Sequence, residues 1–232
     1  MKKPKISNWL FADFETTGQK FFEKNNYTRV YLAGLIAPSG PFHYFTNILD
    51  FWDYLTTFRR HTIVYFHNLA FDITFLEYFW TKHKIPYFRK TNELGRIIYA
   101  ETIITYTAKH GRKWREHKVV LQFRDSLLLL NGSLDSLAKS FNVPHKIEKE
   151  REYYDRLTYE VLSEDIEYLR RDVEILRDLI TLTFTRFEIT ENPPLTTASL
   201  ARKQLFKECI KESTHNAVFS LSSELDTKLR PY

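Results

Sequence analysis

The chain has 232 residues, 43% of them apolar and 27% charged, which allows one large core and excludes wholesale disorder. The 34 Lys and Arg outnumber the 29 Asp and Glu, giving a net charge of +5 and a sequence pI of about 9.1. That balance favours a polyanionic partner such as nucleic acid. The single cysteine, Cys209, excludes an internal disulfide and fits a reducing cytoplasm. The apolar run behind the basic N-terminus is too short for a signal-peptide core or a membrane span, so a cytoplasmic protein with no membrane partner is expected.

The chain opens with a strand over residues 7–14, in which the run Trp9-Leu10-Phe11-Ala12 ends on Asp13-Phe14-Glu15. Acids one residue apart on a strand point the same way. A second strand, "YTRVYLAGLIAP", ends at the turn signal Pro38-Ser39-Gly40-Pro41, and "FHYFTN" reads as a third, antiparallel to it. "ILDFWDYLTTF" has helical spacing, "TIVYFHN" reads as a central strand, and "FDITFLEYFWTKH" as the helix behind it. Residues 96–107 and "KVVLQFRD" read as a strand pair. Between them, "KHGRKWREHK" carries Lys109, Arg112, Lys113, Arg115 and Lys118 around Trp114. It is either a solvated loop tip or a basic finger beside a phosphate backbone.

Further on, "SLDSLAKSF" reads as a short helix capped by Ser133, and "KIEKEREYYDR" as a charged loop. The longest helix begins near Ser163, read as its N-cap, with acids in its first turn and an apolar stripe of Leu162, Ile166, Leu169, Val173, Leu176 and Ile180. Asn192-Pro193-Pro194 ends it and divides a domain over 1–190 from a tail over 191–232. The expected class is α/β or α+β, a sheet of mixed direction covered by helices. The 37 aromatic residues serve a core, base stacking or both; composition does not separate these.

Two further acids sit in settings like that of Asp13 and Glu15. Asp72 begins the helix behind the central strand, and Asp172 stacks with Tyr168 four residues earlier on the long helix. Brought to one point, four carboxylates repel unless a cation lies among them. Oxygen-only ligands favour Mg²⁺ or Mn²⁺, and the single cysteine disfavours zinc. Two such ions can clamp an in-line phosphoryl displacement.

"DFETTG", "YFHNLAFD" and "YLRRD" resemble, in order and context, the three motifs of DEDDy-type 3′→5′ exonucleases. With "RDSLLLLNGSLDSLAKSF" before the third motif, residues 6–190 are similar to the proofreading domain of protein-primed family B DNA polymerases. The tail "PLTTASLARKQLFK" resembles the lead-in to their polymerase domain. The resemblance implies an RNase H-like mixed sheet flanked by helices. It implies two divalent cations held by Asp13, Glu15, Asp72 and Asp172, with Tyr168 orienting the attacking water. It implies contacts to single-stranded DNA 3′ ends from Thr16, Tyr65, His67, Asn68, Phe71, Phe75, Ser133 and Leu134. A lysine on the scissile phosphate is expected at Lys146 or Lys149, and a DNA-contacting tyrosine at Tyr153 or Tyr154.

The polymerase motifs D-x-x-S-L-Y-P and Y-x-D-T-D are absent. The chain therefore corresponds to an excised domain, a short protein or one half of a split polymerase. A 3′→5′ exodeoxyribonuclease is the leading expectation. The alternatives are an RNA-trimming exonuclease, or a weakly catalytic module binding single-stranded DNA, a terminal protein or a polymerase domain.

Overall fold

The computed structural model describes residues 8–111, 113–148 and 155–212. A seven-stranded sheet runs through the centre in the order β3-β2-β1-β4-β7-β6-β5. Its strands are β1 (Asn8–Thr16), β2 (Val30–Ile36), β3 (His43–Phe45), β4 (Thr62–Phe66), β5 (Tyr87–Thr91), β6 (Ile97–His110) and β7 (Lys113–Asp125). Parallel pairing joins β1 to β4 and β4 to β7, and every other neighbour is antiparallel. The buried central strands, "TIVYF" and "VYLAGLI", are continuous apolar runs because helices cover both of their faces.

One face lies under α2 (Ile48–Thr56) and α3 (Leu69–Lys82). Leu10, Ala12, Phe14, Val64 and Phe66 meet Phe51, Leu55, Ile73, Leu76 and Trp80 there. On the other face Phe11, Ile63 and Tyr65 meet α6 (Ser163–Arg186) through Leu169, Val173, Leu176 and Ile180. Strand alternation therefore sends Asp13 and Glu15, two and four residues beyond Phe11, to the α6 side. Gly34, opposite Asp13 on β2, lets α6 come this close. A Cβ there would stand 2.8 Å from Leu169 Cγ and 3.0 Å from Phe42 Cε2.

Shorter helices complete the shell: α1 (Gln19–Asn25), α4 (Leu127–Leu130) and α5 (Leu134–Phe141). The last, α7 (Thr197–Glu212), inserts Leu200 into the α6-side core, and Thr197 Oγ1 donates to the Leu129 carbonyl. No described helix is long and apolar enough to cross a membrane.

The structure departs from the sequence expectations in three places. The basic stretch around Trp114 is strand, not loop: β6 and β7 pair as far as His110 and Lys113. The strand β5 was not expected, because all five of its residues are exposed and show no apolar alternation. The long helix starts as expected, but Ser163 is its first residue. The capping bond comes from Asp165, whose carboxylate accepts from the Leu162 N–H at 2.9 Å.

Candidate active site

The carboxylates gather at the C-terminal ends of the parallel strands. Carboxylate oxygens of Asp13, Glu15 and Asp172 lie within 4.8 Å of one another. β1 supplies the first two, and α6, seated on Gly34 through Leu169, supplies the third. Asp72 sits in the first turn of α3, just past β4, buried and in the field of Asp13 and Glu15.

Each of the four acids is held above its ordinary pKa. Burial is the largest cause throughout, because a charged carboxylate loses hydration there. For Asp13 the Asp172 charge adds to it, and the carboxyl reaches about 7 despite Lys146 and the Phe14 N–H. Glu15 is raised further by Asp13 and Asp172, and Asp72 by Asp13.

Lys146 offsets part of this charge. Its Nζ lies 2.7 Å from Asp172 Oδ2 and 5.3 Å from the centre of the Tyr168 ring. Two buried oxygens, Asp72 Oδ1 and Asp172 Oδ1, have no hydrogen-bond partner among the described residues. Hard oxygen donors, mutual repulsion and unmet acceptors in one place fit a divalent cation of the Mg²⁺ or Mn²⁺ type. Of the two lysines left open by the sequence, Lys146 reaches this cluster. Lys149, Tyr153 and Tyr154 lie outside the described residues.

Beside the acids, the turn from β4 to α3 carries His67 and Asn68. Asn68 adopts a left-handed conformation (φ 67°) that asparagine tolerates well. Its N–H donates to Asp125 Oδ1 at 3.0 Å, and the same oxygen accepts from Leu127 N–H at 2.9 Å. Arg96 Nη2 stands 3.7 Å from Asp125 Oδ2. His67 Nδ1 lies 2.9 Å from Ser126 Oγ, and burial holds this imidazole below its usual range.

Phe71 is 49% exposed and meets half-buried Phe75 edge-on at 5.5 Å. Half-buried Thr16 ends β1 beside an irregularity in its pairing with β2. Behind that end, Tyr159 Oη accepts from Gly18 N–H at 2.6 Å. Arg156 Nη2 donates to Asp165 Oδ1 and to Tyr31 Oη, tying β2 to the start of α6.

Three of the residues expected to contact DNA, Tyr65, Ser133 and Leu134, have structural roles. Tyr65 is 1% exposed and stacked on Phe11 in the core, so its ring is closed to a base. Its place in an alternating strand two residues before His67 sends it inward under α6. Ser133 Oγ accepts from Ser136 N–H as the cap of α5, and Leu134 is half-buried against Leu137 and its neighbours. The serine bonded to His67 is Ser126, fully buried just after β7. Asp125 and Ser126 escaped notice in the sequence. Their signal was present: polar residues directly behind the apolar run "VVLQF", as with Asp13 behind "WLFA".

The family of organellar and viral type B DNA polymerases matches residues 56–154. The DNA polymerases of Bacillus phages Nf, M2 and B103 are each 25% identical over 179 residues, covering 72% of this chain and 29% of theirs. This chain thus spans under a third of the length of those relatives. Phi29 DNA polymerase complexed with primer-template DNA has a TM-score of 0.70 at 17% identity, over 87% of this chain and 35% of that one. Its complex with single-stranded DNA gives 0.66 at 21% identity, over 88% and 35%. Residues 56–154 thus resemble the organellar and viral type B DNA polymerases, and the chain shares its α/β fold with about a third of phi29 DNA polymerase.

Proposed function

We propose that the chain is a metal-dependent 3′→5′ exonuclease acting on single-stranded DNA ends. The observation that carries this reading is the convergence of Asp13, Glu15 and Asp172 within 4.8 Å, with Asp72 buried in the field of Asp13 and Glu15. The four carboxylates would hold two divalent cations, Mg²⁺ or Mn²⁺. Bound there, such ions supply Lewis-acid stabilisation for in-line displacement at a phosphodiester.

The chain's own groups do the positioning. Tyr168, one turn before Asp172 and beneath Lys146, orients the attacking water. Lys146 moves from Asp172 toward the scissile phosphate once cations take up the carboxylate charge. Asn68 hydrogen-bonds the terminal nucleotide, and Phe71, half exposed and braced by Phe75, stacks on its base. The segment "PLTTASLARKQLFK" resembles the lead-in to a polymerase domain.

A 5′-labelled single strand tests the reading. With Mn²⁺ or Mg²⁺ it shortens from the 3′ end, and EDTA stops it. Asp13→Ala or Asp172→Ala slows shortening by about 10³-fold or more, roughly 4 kcal/mol of barrier. No shortening by the native chain, or equal shortening by the variants, overturns it. Tight binding with no metal-dependent turnover supports a binding module instead, and faster loss of a matched RNA strand supports RNA trimming.

A further inference from the structure

The carboxylate site occupies one end of the sheet, and the basic stretch lies at the other. β7 ends at Asp125 beside the site and begins at Lys113. At about 3.3 Å per residue its start lies roughly 40 Å away. β5 pairs with β6 only as far as Thr102, and β4 pairs with β7 only from Leu121. Residues 103–110 and 113–120 pair only with one another, as a two-stranded ribbon about 26 Å long.

Opposed residues share a face, so both faces of the ribbon are cationic. Lys109, Trp114 and Lys118 continue the α6 side of the sheet, and Lys113 and Arg115 the other. Arg59 joins the second group, its guanidinium 4.5 Å from the centre of the Tyr106 ring. Against these five cations stands one carboxylate among the described ribbon residues, Glu116. Trp114 is 68% exposed, a large apolar ring held out into solvent between cations. His110 and His117, with their Nε2 atoms 2.9 Å apart, cross-brace the distal strands.

A ribbon charged on one face suits a flat contact with a single strand. Cations on both faces suit insertion between two phosphate backbones. The major groove of B-DNA, about 12 Å wide, admits a two-stranded β-ribbon. We infer that this ribbon is a second, non-catalytic nucleic-acid contact, seated in a groove of double-stranded DNA with cations on each face toward the flanking phosphates. The choice of DNA rests on the nuclease reading; the contact itself needs no metal and no cleavage.

Fluorescence anisotropy with a blunt labelled duplex in EDTA tests this. The variant Lys109→Ser/Lys113→Ser/Arg115→Ser/Lys118→Ser is expected to bind at least about 30-fold more weakly at 100 mM salt. Its plot of log affinity against log salt flattens by about three to four units, near 0.9 per lost phosphate contact. Its melting temperature and its shortening of a labelled tetranucleotide stay native, and replacing the three lysines by arginine preserves duplex binding. Native duplex affinity and salt slope in the serine variant overturn the inference. So does a loss confined to a long single strand. A native chain that leaves the tetranucleotide intact counts against the nuclease reading alone, because the duplex measurement contains no metal.

Discussion

Lys146 Nζ lies 2.7 Å from Asp172 Oδ2, while the other oxygen of that carboxylate is buried with no hydrogen-bond partner among the described residues. One side of Asp172 is neutralised by the chain itself and the other is left open. The lysine thus acts as an internal counter-cation for a cluster whose members all resist ionisation.

Replacing Lys146 with Met should therefore destabilise the metal-free protein at pH 8 by about 1–2 kcal/mol. The figure lies below that for a fully buried pair because the lysine is partly exposed to solvent. Saturating Mn²⁺ should narrow the gap, since an ion then meets the charge. Urea unfolding with and without Mn²⁺ checks this, and an equal gap in both conditions contradicts it.

The raised carboxyls set the pH dependence of the apo fold. Asp13 titrates at about 7 when folded and near 3.8 when unfolded. Between those values the folded state binds more protons, so stability falls as pH rises through the window. Glu15, Asp72 and Asp172 shift in the same direction. In EDTA, the urea midpoint should be higher at pH 5.5 than at pH 8. A flat or rising midpoint would show that the acids are not clustered.

Gly34 tests how α6 delivers Asp172 and Tyr168. A Cβ there meets Leu169 Cγ at 2.8 Å, so Gly34→Ala should lift the helix and cost about 1–3 kcal/mol. Nuclease activity should fall by more than the folded fraction does. In the double variant with Leu169→Ala, the two effects should be less than additive, because the smaller side chain gives the new methyl room. Strict additivity in a double-mutant cycle would contradict the contact.

Asp125 holds the Asn68 turn through two backbone N–H groups and faces Arg96. Asp125→Ala should cost about 2–3 kcal/mol, since it leaves buried donors unmet. Asn68→Gly keeps the left-handed backbone and should leave stability nearly native while raising KM for single strands. Steady-state kinetics beside thermal melts separates the two, and an unchanged KM in Asn68→Gly removes the side chain from substrate contact.

That Asp13 and Glu15 share one strand face, and Tyr168 and Asp172 one helix face, was legible in the sequence because strand alternation and helical spacing fix side-chain direction; that the acids meet was implied only by the family resemblance. The apolar residues beside them fix which face turns inward. The base of the ribbon was legible as a strand pair, but its distal part was not: Lys, Arg and His at the tip mask the strand pattern, since two-sided solvent exposure removes the apolar alternation. The work of Asp125 and Ser126 was hidden for another reason. Their partners are a backbone N–H and a histidine more than fifty residues away, and no local spacing encodes such bonds. Tyr65 shows the opposite limit. An aromatic beside a binding motif suits a base or a core equally, and only its place under α6 decides.

Manganese anomalous scattering from a crystal soaked in millimolar Mn²⁺ addresses the central claim most directly. The account predicts a peak in contact with Asp13 and Asp172, about 2.1 Å from their oxygens, with Lys146 Nζ displaced from Oδ2. No peak among the four acids, with Lys146 still paired to Asp172, would contradict it.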